Sequence, residues 1–179
     1  MIFVSLGTHE QPFPRAIALV RPLAQTDEVV VQHGYTPPLE SEPGFRWIEF
    51  LPYEEIVSLM TEANVVVCHG GVGTIMTALH ARVVPVVIPR LQRFNEHVDD
   101  HQLQIARALG VKGLLQPVLE ADDVAPAVAC AAGAPRQSLR APTALRDAIA
   151  DAAGVNNGHR PGGQGGLYPS SSSVLRSDR

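Results

Sequence analysis

Apolar and polar positions change period several times along the chain, and each change marks an element. IFVSL (residues 2–6) is an apolar run closed by Gly7, which reads as a short buried strand. Ile17, Val20 and Leu23 recur at spacings of three, the stripe of a helix, with Pro12 and Pro14 ahead of it where proline is tolerated. VVVQH (29–33) is a second strand, YTPPLESEPG (35–44) a loop by its prolines and Gly44, and RWIEF (46–50), which alternates, a third strand. Ile56, Leu59, Met60 and Ala63 form an i, i+3, i+4, i+7 set that predicts a helix over 54–62. NVVVC (64–68) is a fourth strand, 74–81 a helix, VVPVVIP (83–89) a fifth strand and 101–109 a helix with Gly110 just past its end. Leu114 and Leu115 suggest a sixth strand, and weaker helices follow over 121–132 and 142–153, the second ended by Gly154.

Strands that alternate with helices and are apolar almost throughout imply a parallel sheet covered on both faces. The expected fold class is α/β, a doubly wound, Rossmann-like parallel sheet, in one domain over residues 1–154. From Val155 the chain is rich in Gly, Pro and Ser without periodicity, and residues 155–179 are expected to be a disordered tail.

The length of 179 residues suits one domain with a real core. A net charge of −4 argues against a nucleic-acid surface, and no apolar run reaches the length of a membrane span. Met1 leads straight into strand one without a signal-peptide pattern, and Cys68 and Cys130 fit a reducing compartment, so a cytoplasmic location is expected.

Chemistry gathers at the strand ends. In VVVCHGGVGTIMTAL (65–79) a buried strand runs into His69, Gly70, Gly71, Gly73 and Thr74 before a helix begins. Ligands of open α/β sheets bind beyond the carboxyl ends of the strands, where a helix N-terminus offers free N–H groups to an anion. Thr74 is expected to cap that helix or give its hydroxyl to a phosphate. The same pattern also serves an ordinary strand-to-helix turn. GxGxxG is absent and no lysine precedes Thr74, so this is neither a dinucleotide fingerprint nor a P-loop. Gly7, Thr8, His9 and Glu10 make a second such end after strand one. The third polar segment, 89–106, carries Arg90 and Arg93, which either neutralise phosphate or are simply solvated. It also carries His97 and His101, four apart, around Asp99 and Asp100. No third ligand is evident, so no metal is expected.

MIFVSLGTHEQPF, VVVCHGGVGT and VIPR…NEHVDDHQLQIA together resemble the C-terminal, donor-binding domain of family 28 glycosyltransferases. That domain is the donor half of the GT-B fold. The chain looks most like the short bacterial subunits of exopolysaccharide and capsule synthesis. Those resemble the small catalytic subunit of the eukaryotic UDP-GlcNAc transferase of dolichol-linked sugar synthesis. The resemblance implies a nucleotide-sugar donor, usually a UDP-sugar, and no metal or other cofactor. It places Gly7 and Thr8 by the diphosphate, and Phe50 and Leu51 near the base. His69, Gly70, Gly71, Gly73 and Thr74 then surround the diphosphate, and His101 with Gln102 matches the sugar-contacting pair. A protonatable histidine and the helix N-terminus would stabilise the leaving diphosphate. Thr77 stands where the lipid II synthase of the family has a ribose-gripping glutamate. The turn from Ala81 to Pro85 lacks the glycine usual there.

A GT-B enzyme needs two halves. The resemblance therefore implies a membrane-anchored partner subunit that supplies the acceptor site, a polyprenyl-diphosphate-linked sugar acceptor, and recruitment to the inner face of the plasma membrane. The expected activity is a hexosyltransferase-type, inverting transfer in polysaccharide synthesis, in a heteromeric enzyme. His9 and Glu10 are the candidates for a base within this chain; otherwise the base lies in the partner. The alternatives are a non-catalytic accessory subunit that activates or tethers another transferase, and an epimerase or hydrolase of sugar nucleotides, which would need a second domain.

Overall fold

Strand formation follows the valine-rich runs, whose β-branched side chains suit a pleated surface buried on both sides. The computed structural model describes residues 1–39, 42–119, 123–136 and 150. Its strands are β1 (Ile2–Ser5), β2 (Val29–Gln32), β3 (Phe45–Ile48), β4 (Val65–His69), β5 (Val86–Ile88) and β6 (Gln116–Pro117). All pairings are parallel, in the order β3-β2-β1-β4-β5-β6. The helices are α1 (Pro14–Val20), α2 (Tyr53–Glu62), α3 (Val72–His80), α4 (His101–Val111) and α5 (Ala125–Gly133). The expected doubly wound α/β class is what the structure shows.

Alternation along each strand divides the core. Ile2, Val4, Val29, Val31, Val65 and Val67 turn to one face, with Ile17 and Val20 of α1 and Ala131 of α5. Phe3, Val30 and Val66 turn to the other, with Met60 of α2 and Ala78 of α3. On that same side Cys68 and Val87 meet Ile75 and Leu79 of α3 and Ile105 and Leu109 of α4. Strand order reverses between β1 and β4, so the loops after these two strands diverge and open a crevice between them.

Several boundaries differ from expectation. The helix after β4 starts at Val72, not Thr74, with Gly71 as its N-cap. Thr74 therefore cannot be the cap; it lies in the first helical turn. The fourth helix runs through Gly110 to Val111, and Gly113, at φ +69°, takes the left-handed position past its end. Gly110 answers to packing instead: a Cβ there would come within 2.8 Å of Pro117. The sixth strand is Gln116–Pro117 rather than Leu114 and Leu115. The helix expected over 121–132 is observed as Ala125–Gly133. The helix expected over 142–153 and the tail over 155–179 lie outside the described residues. Among the described residues no helix is long and apolar enough to cross a membrane.

Candidate functional site

The crevice at the switch point holds a pocket of about 300 Å³, lined by Ser5, Gly7, Thr8, Gln32, Tyr53, Ile56, His69, Gly73, Thr74 and Thr77. Six residues singled out in the sequence thus meet in one place: Gly7, Thr8, His69, Gly73, Thr74 and Thr77.

The loop after β1 is held in a fixed shape. Gly7 is left-handed at φ +79°, a conformation open to glycine at little cost. The buried Gln32 side chain receives the Ser5 hydroxyl at 3.0 Å and the Gly7 N–H at 3.3 Å on its oxygen. Its nitrogen donates to the carbonyls of Gly7 at 3.0 Å and Glu49 at 3.2 Å. All four of its hydrogen-bonding positions are filled, so Gln32 positions the turn from the neighbouring strand.

The His69 ring sits between two glycines. A Cβ on Gly7 would come within 2.6 Å of its Cε1, and one on Gly71 would collide with its Nε2. Nδ1 faces the Ser5 carbonyl at 3.4 Å. Burial, then the Arg90 guanidinium, lower the ring's pKa to about 4. The protonatable histidine expected here is therefore neutral at neutral pH in this pocket. Beside it, the buried Cys68 thiol is pushed up to about 12 by burial, which makes it a core residue and not a nucleophile.

At α3 the N-cap makes no side-chain hydrogen bond and the first turn holds no acidic residue. Helices α1, α2, α4 and α5 also lack an N-cap side-chain hydrogen bond, and only α2, with Glu54 and Glu55, has acids in its first turn; α3 is set apart by Gly73 and Thr74 of its first turn lining the pocket. The positive end of α3 is thus left to whatever enters the pocket. Thr77 donates its hydroxyl to the Gly73 carbonyl at 2.9 Å, so its oxygen remains only as an acceptor.

The other expected site residues surround this pocket without lining it. Gly70 is buried, and its N–H donates to Oε1 of Gln102 at 2.9 Å; the same oxygen accepts the Arg90 N–H at 3.1 Å. Gln102 thereby ties the ends of β4 and β5 to α4. His101 begins that helix, its N–H donating to Asp99 at 3.0 Å. Arg90 is 1% exposed, which corrects the solvated alternative. It donates to the carbonyls of Leu6, Gln11 and Glu96 and lies over the Phe13 ring at 4.6 Å. Its Nη1 and Nη2 donors hold backbone, its buried Nε has no hydrogen-bond partner among the described residues, and it does not line the pocket.

His9 Nε2 donates to Gln11 Oε1 at 2.7 Å, and Glu10 is exposed next to it on the loop after Thr8. Phe50 stands exposed with its ring 5.4 Å from that of Tyr35, and Leu51 is half-buried against the core. Tyr53, just beyond, is the aromatic residue that reaches the pocket. Among the described residues no three His, Cys, Asp or Glu side chains gather closely enough to hold a metal ion.

The sequence reading missed Ser5, Gln32, Tyr53 and Ile56. A polar Gln32 ending an otherwise all-valine run was a usable signal, because the last position of a buried parallel strand faces the crevice.

Strand order and crevice define the class, a Rossmann-like α/β domain with its pocket at the switch point. The chain belongs to the glycosyltransferase family 28 C-terminal domains, whose family model matches residues 1–153. No curated protein matches it. Solved glycosyltransferase structures share the fold. One is the glycotransferase of kitacinnamycin, with TM-score 0.56 and 22% identity over 85% of this chain and 39% of that one. Another is CalG4, the calicheamicin glycosyltransferase, with TM-score 0.54 and 20% identity over 85% of this chain and 37% of that one. The chain thus spans less than two fifths of the length of these structures.

Proposed function

We propose that this chain is the donor-binding catalytic half of an inverting glycosyltransferase that takes a hexose from a UDP-sugar. The acceptor half lies on a membrane-anchored partner, and the acceptor is a polyprenyl-diphosphate-linked sugar in polysaccharide synthesis. Family membership supports transfer from a nucleotide sugar. The observation that carries the reading is the uncapped, acid-free N-terminus of α3, which opens into the pocket between the Gly7 turn and Thr74.

In this reading the diphosphate lies against the first N–H groups of α3 and the Thr8 and Thr74 hydroxyls. Charge growing on the leaving diphosphate is met there by fixed dipoles, without a metal ion. His69 adds a ring whose protonation the anion itself would favour. Thr77, whose oxygen is left as an acceptor, receives a ribose hydroxyl. Tyr53 and Phe50 flank the base. The Gln102 amide nitrogen and His101 face the sugar from the start of α4.

Calorimetric titration with UDP, without added metal, tests this. Gly73→Ala is the informative variant. A methyl there meets nothing within 4 Å of the chain, so the fold should hold. Yet Gly73 lines the pocket, so the methyl occupies ligand space. The expected result is UDP binding by the wild-type chain, weakened at least tenfold by Gly73→Ala and by Thr74→Ala, with unchanged melting temperature. UDP affinity that ignores Gly73→Ala would remove the diphosphate from this turn.

A further inference from the structure

We propose that His97, oriented by Asp99, is the general base of the transfer, so that the donor half carries its own proton acceptor; this rests on the donor-binding reading above. His97 Nδ1 lies 3.1 Å from Asp99 Oδ1. A carboxylate only accepts, so in the neutral ring the proton sits on Nδ1 and Nε2 keeps its lone pair. The Asp99 N–H also approaches Nδ1, at 3.4 Å, but the shorter, charge-assisted contact sets the tautomer. The same Oδ1 accepts the His101 N–H at 3.0 Å, which anchors the carboxylate at the start of α4. That backbone hydrogen bond holds the Asp99 carboxyl below its usual range, and the group stays ionised.

The ring's place is fixed from both sides. On one side Glu96 is buried, paired with Arg15 at 2.8 Å, with its backbone carbonyl on Arg90 at 3.1 Å. On the other, Asp100 accepts the Gln92 N–H at 2.9 Å. Arg90 also holds the Gln11 carbonyl, which joins this loop to the one after β1. There the His97 ring meets that of His9 at 4.9 Å between centroids, one residue beyond the pocket-lining Thr8. A histidine backed by a carboxylate, with its far nitrogen unprotonated, is the arrangement a base requires.

The neighbouring histidines suit the role less. Nε2 of His9 is engaged by Gln11, and among the described residues no carboxylate pairs with its ring. His69 is wedged between glycines, and at a pKa of about 4 it is a weak base. In the step, the acceptor hydroxyl oxygen bonds to the anomeric carbon as the carbon–oxygen bond to the diphosphate breaks. The bonding pair leaves on the diphosphate. The hydroxyl proton passes to His97 Nε2 and then to solvent. Water in the acceptor's place undergoes the same step, so the full chain hydrolyses its donor slowly without a partner.

The experiment measures UDP release from UDP-glucose, UDP-galactose and UDP-N-acetylglucosamine by the full chain across pH 5.5–8.5, beside UDP affinity by calorimetry. His97→Gln should lower kcat at least 100-fold while KM and UDP affinity stay within about twofold. Asp99→Asn should lower kcat about tenfold and move the acidic limb of the profile to lower pH, because the carboxylate no longer supports the imidazolium. The groups that share this field are His9, His69, Arg90, Asp99 and His101. Long-range nitrogen–proton NMR of the wild-type chain should find the His97 proton on Nδ1. Undiminished UDP release by His97→Gln, a proton on Nε2, or no release by a wild-type chain that binds UDP overturns the assignment of the base and leaves the donor-binding reading intact. Absence of UDP binding by the wild-type chain overturns both.

Discussion

Gln32 grips the Gly7 peptide unit from both ends: its oxygen takes the Gly7 N–H at 3.3 Å and its nitrogen gives to the Gly7 carbonyl at 3.0 Å. Gly34 allows that grip, since a Cβ there would strike the Gly7 oxygen. The left-handed turn that shapes one wall of the pocket is therefore imposed by the adjacent strand. Gln32→Leu removes a partner from Ser5, Gly7 and Glu49 in a buried place. It should destabilise the chain by about 2–3 kcal/mol in urea denaturation, the scale of buried polar groups left unsatisfied. UDP affinity should fall with it, because the turn relaxes. A stable variant with intact affinity would show that the turn holds its shape unaided.

The wedge around His69 makes a sharper prediction. Gly71 does not have a positive φ, and the three atoms nearest to an added Cβ there all belong to the His69 ring. Gly71→Ala alone should destabilise by about 1–3 kcal/mol, as overpacking does. In a His69→Ala background the same change should be nearly silent, giving a coupling of similar size in a double-mutant cycle. Gly7→Ala should be rescued only in part by His69→Ala, since its φ of +79° remains costly for any side chain. Additive single effects at positions 69 and 71 would mean the ring yields to the methyl at no cost.

What the sequence disclosed and what it hid follow one physical line. Valine runs and helical stripes are local signals, so the first five strands, the helices between most of them and the glycine-marked ends of β1 and β4 were legible. Leu114 and Leu115 misled because burial is not strand: Leu115 packs under α3 and α4, while the ladder runs through Gln116 and Pro117. Thr74 misled because threonine is a favoured N-cap residue, whereas Gly71, which that position also accepts, takes the cap three residues earlier. Arg90 was ambiguous for a tertiary reason. A lone arginine after a strand faces solvent, ligand or backbone, and the carbonyls of Leu6, Gln11 and Glu96 that decide the matter are distant in sequence or in another turn. The bonds of Gln32 and the pairing of Arg15 with Glu96 were hidden for the same reason.

The turn after α3 holds a correctable strain. Arg82 is left-handed at φ +62°, the position past a helix end where glycine is favoured. The Val83 N–H reaches back to the Ala78 carbonyl at 3.0 Å, so the helix closure demands this backbone geometry. Arg82→Gly should stabilise the chain by about 1 kcal/mol, the usual penalty for an ordinary residue in that region. Arg82→Val should destabilise it by more, because a branched Cβ is worse there. Thermal melts of the two variants read the sign directly. A loss of stability in Arg82→Gly would mean that the Arg82 side chain contributes more than its backbone strain.

His69 sets a pH window. In the unfolded chain its ring titrates near its ordinary value of 6.5, whereas in the folded chain burial holds it near 4. Above pH 6.5 both states leave the ring neutral and the contribution to stability is full. As pH falls from 6.5 toward 4, the unfolded chain takes up a proton that the folded chain refuses, and stability drops. The loss across the window is roughly 3 kcal/mol at most, from the size of the shift, and less for a ring that keeps some exposure. His69→Gln should flatten the pH dependence of urea midpoints between 4 and 6.5 relative to wild type, leaving only the slope due to the carboxylates. A diphosphate beside the ring acts the other way, since an anion favours the charged imidazole. UDP binding at pH 5 should therefore take up protons, measured as a dependence of the calorimetric enthalpy on the buffer's ionisation enthalpy. That uptake should disappear in His69→Gln. Binding without proton uptake, or uptake that survives the substitution, would place the diphosphate away from His69.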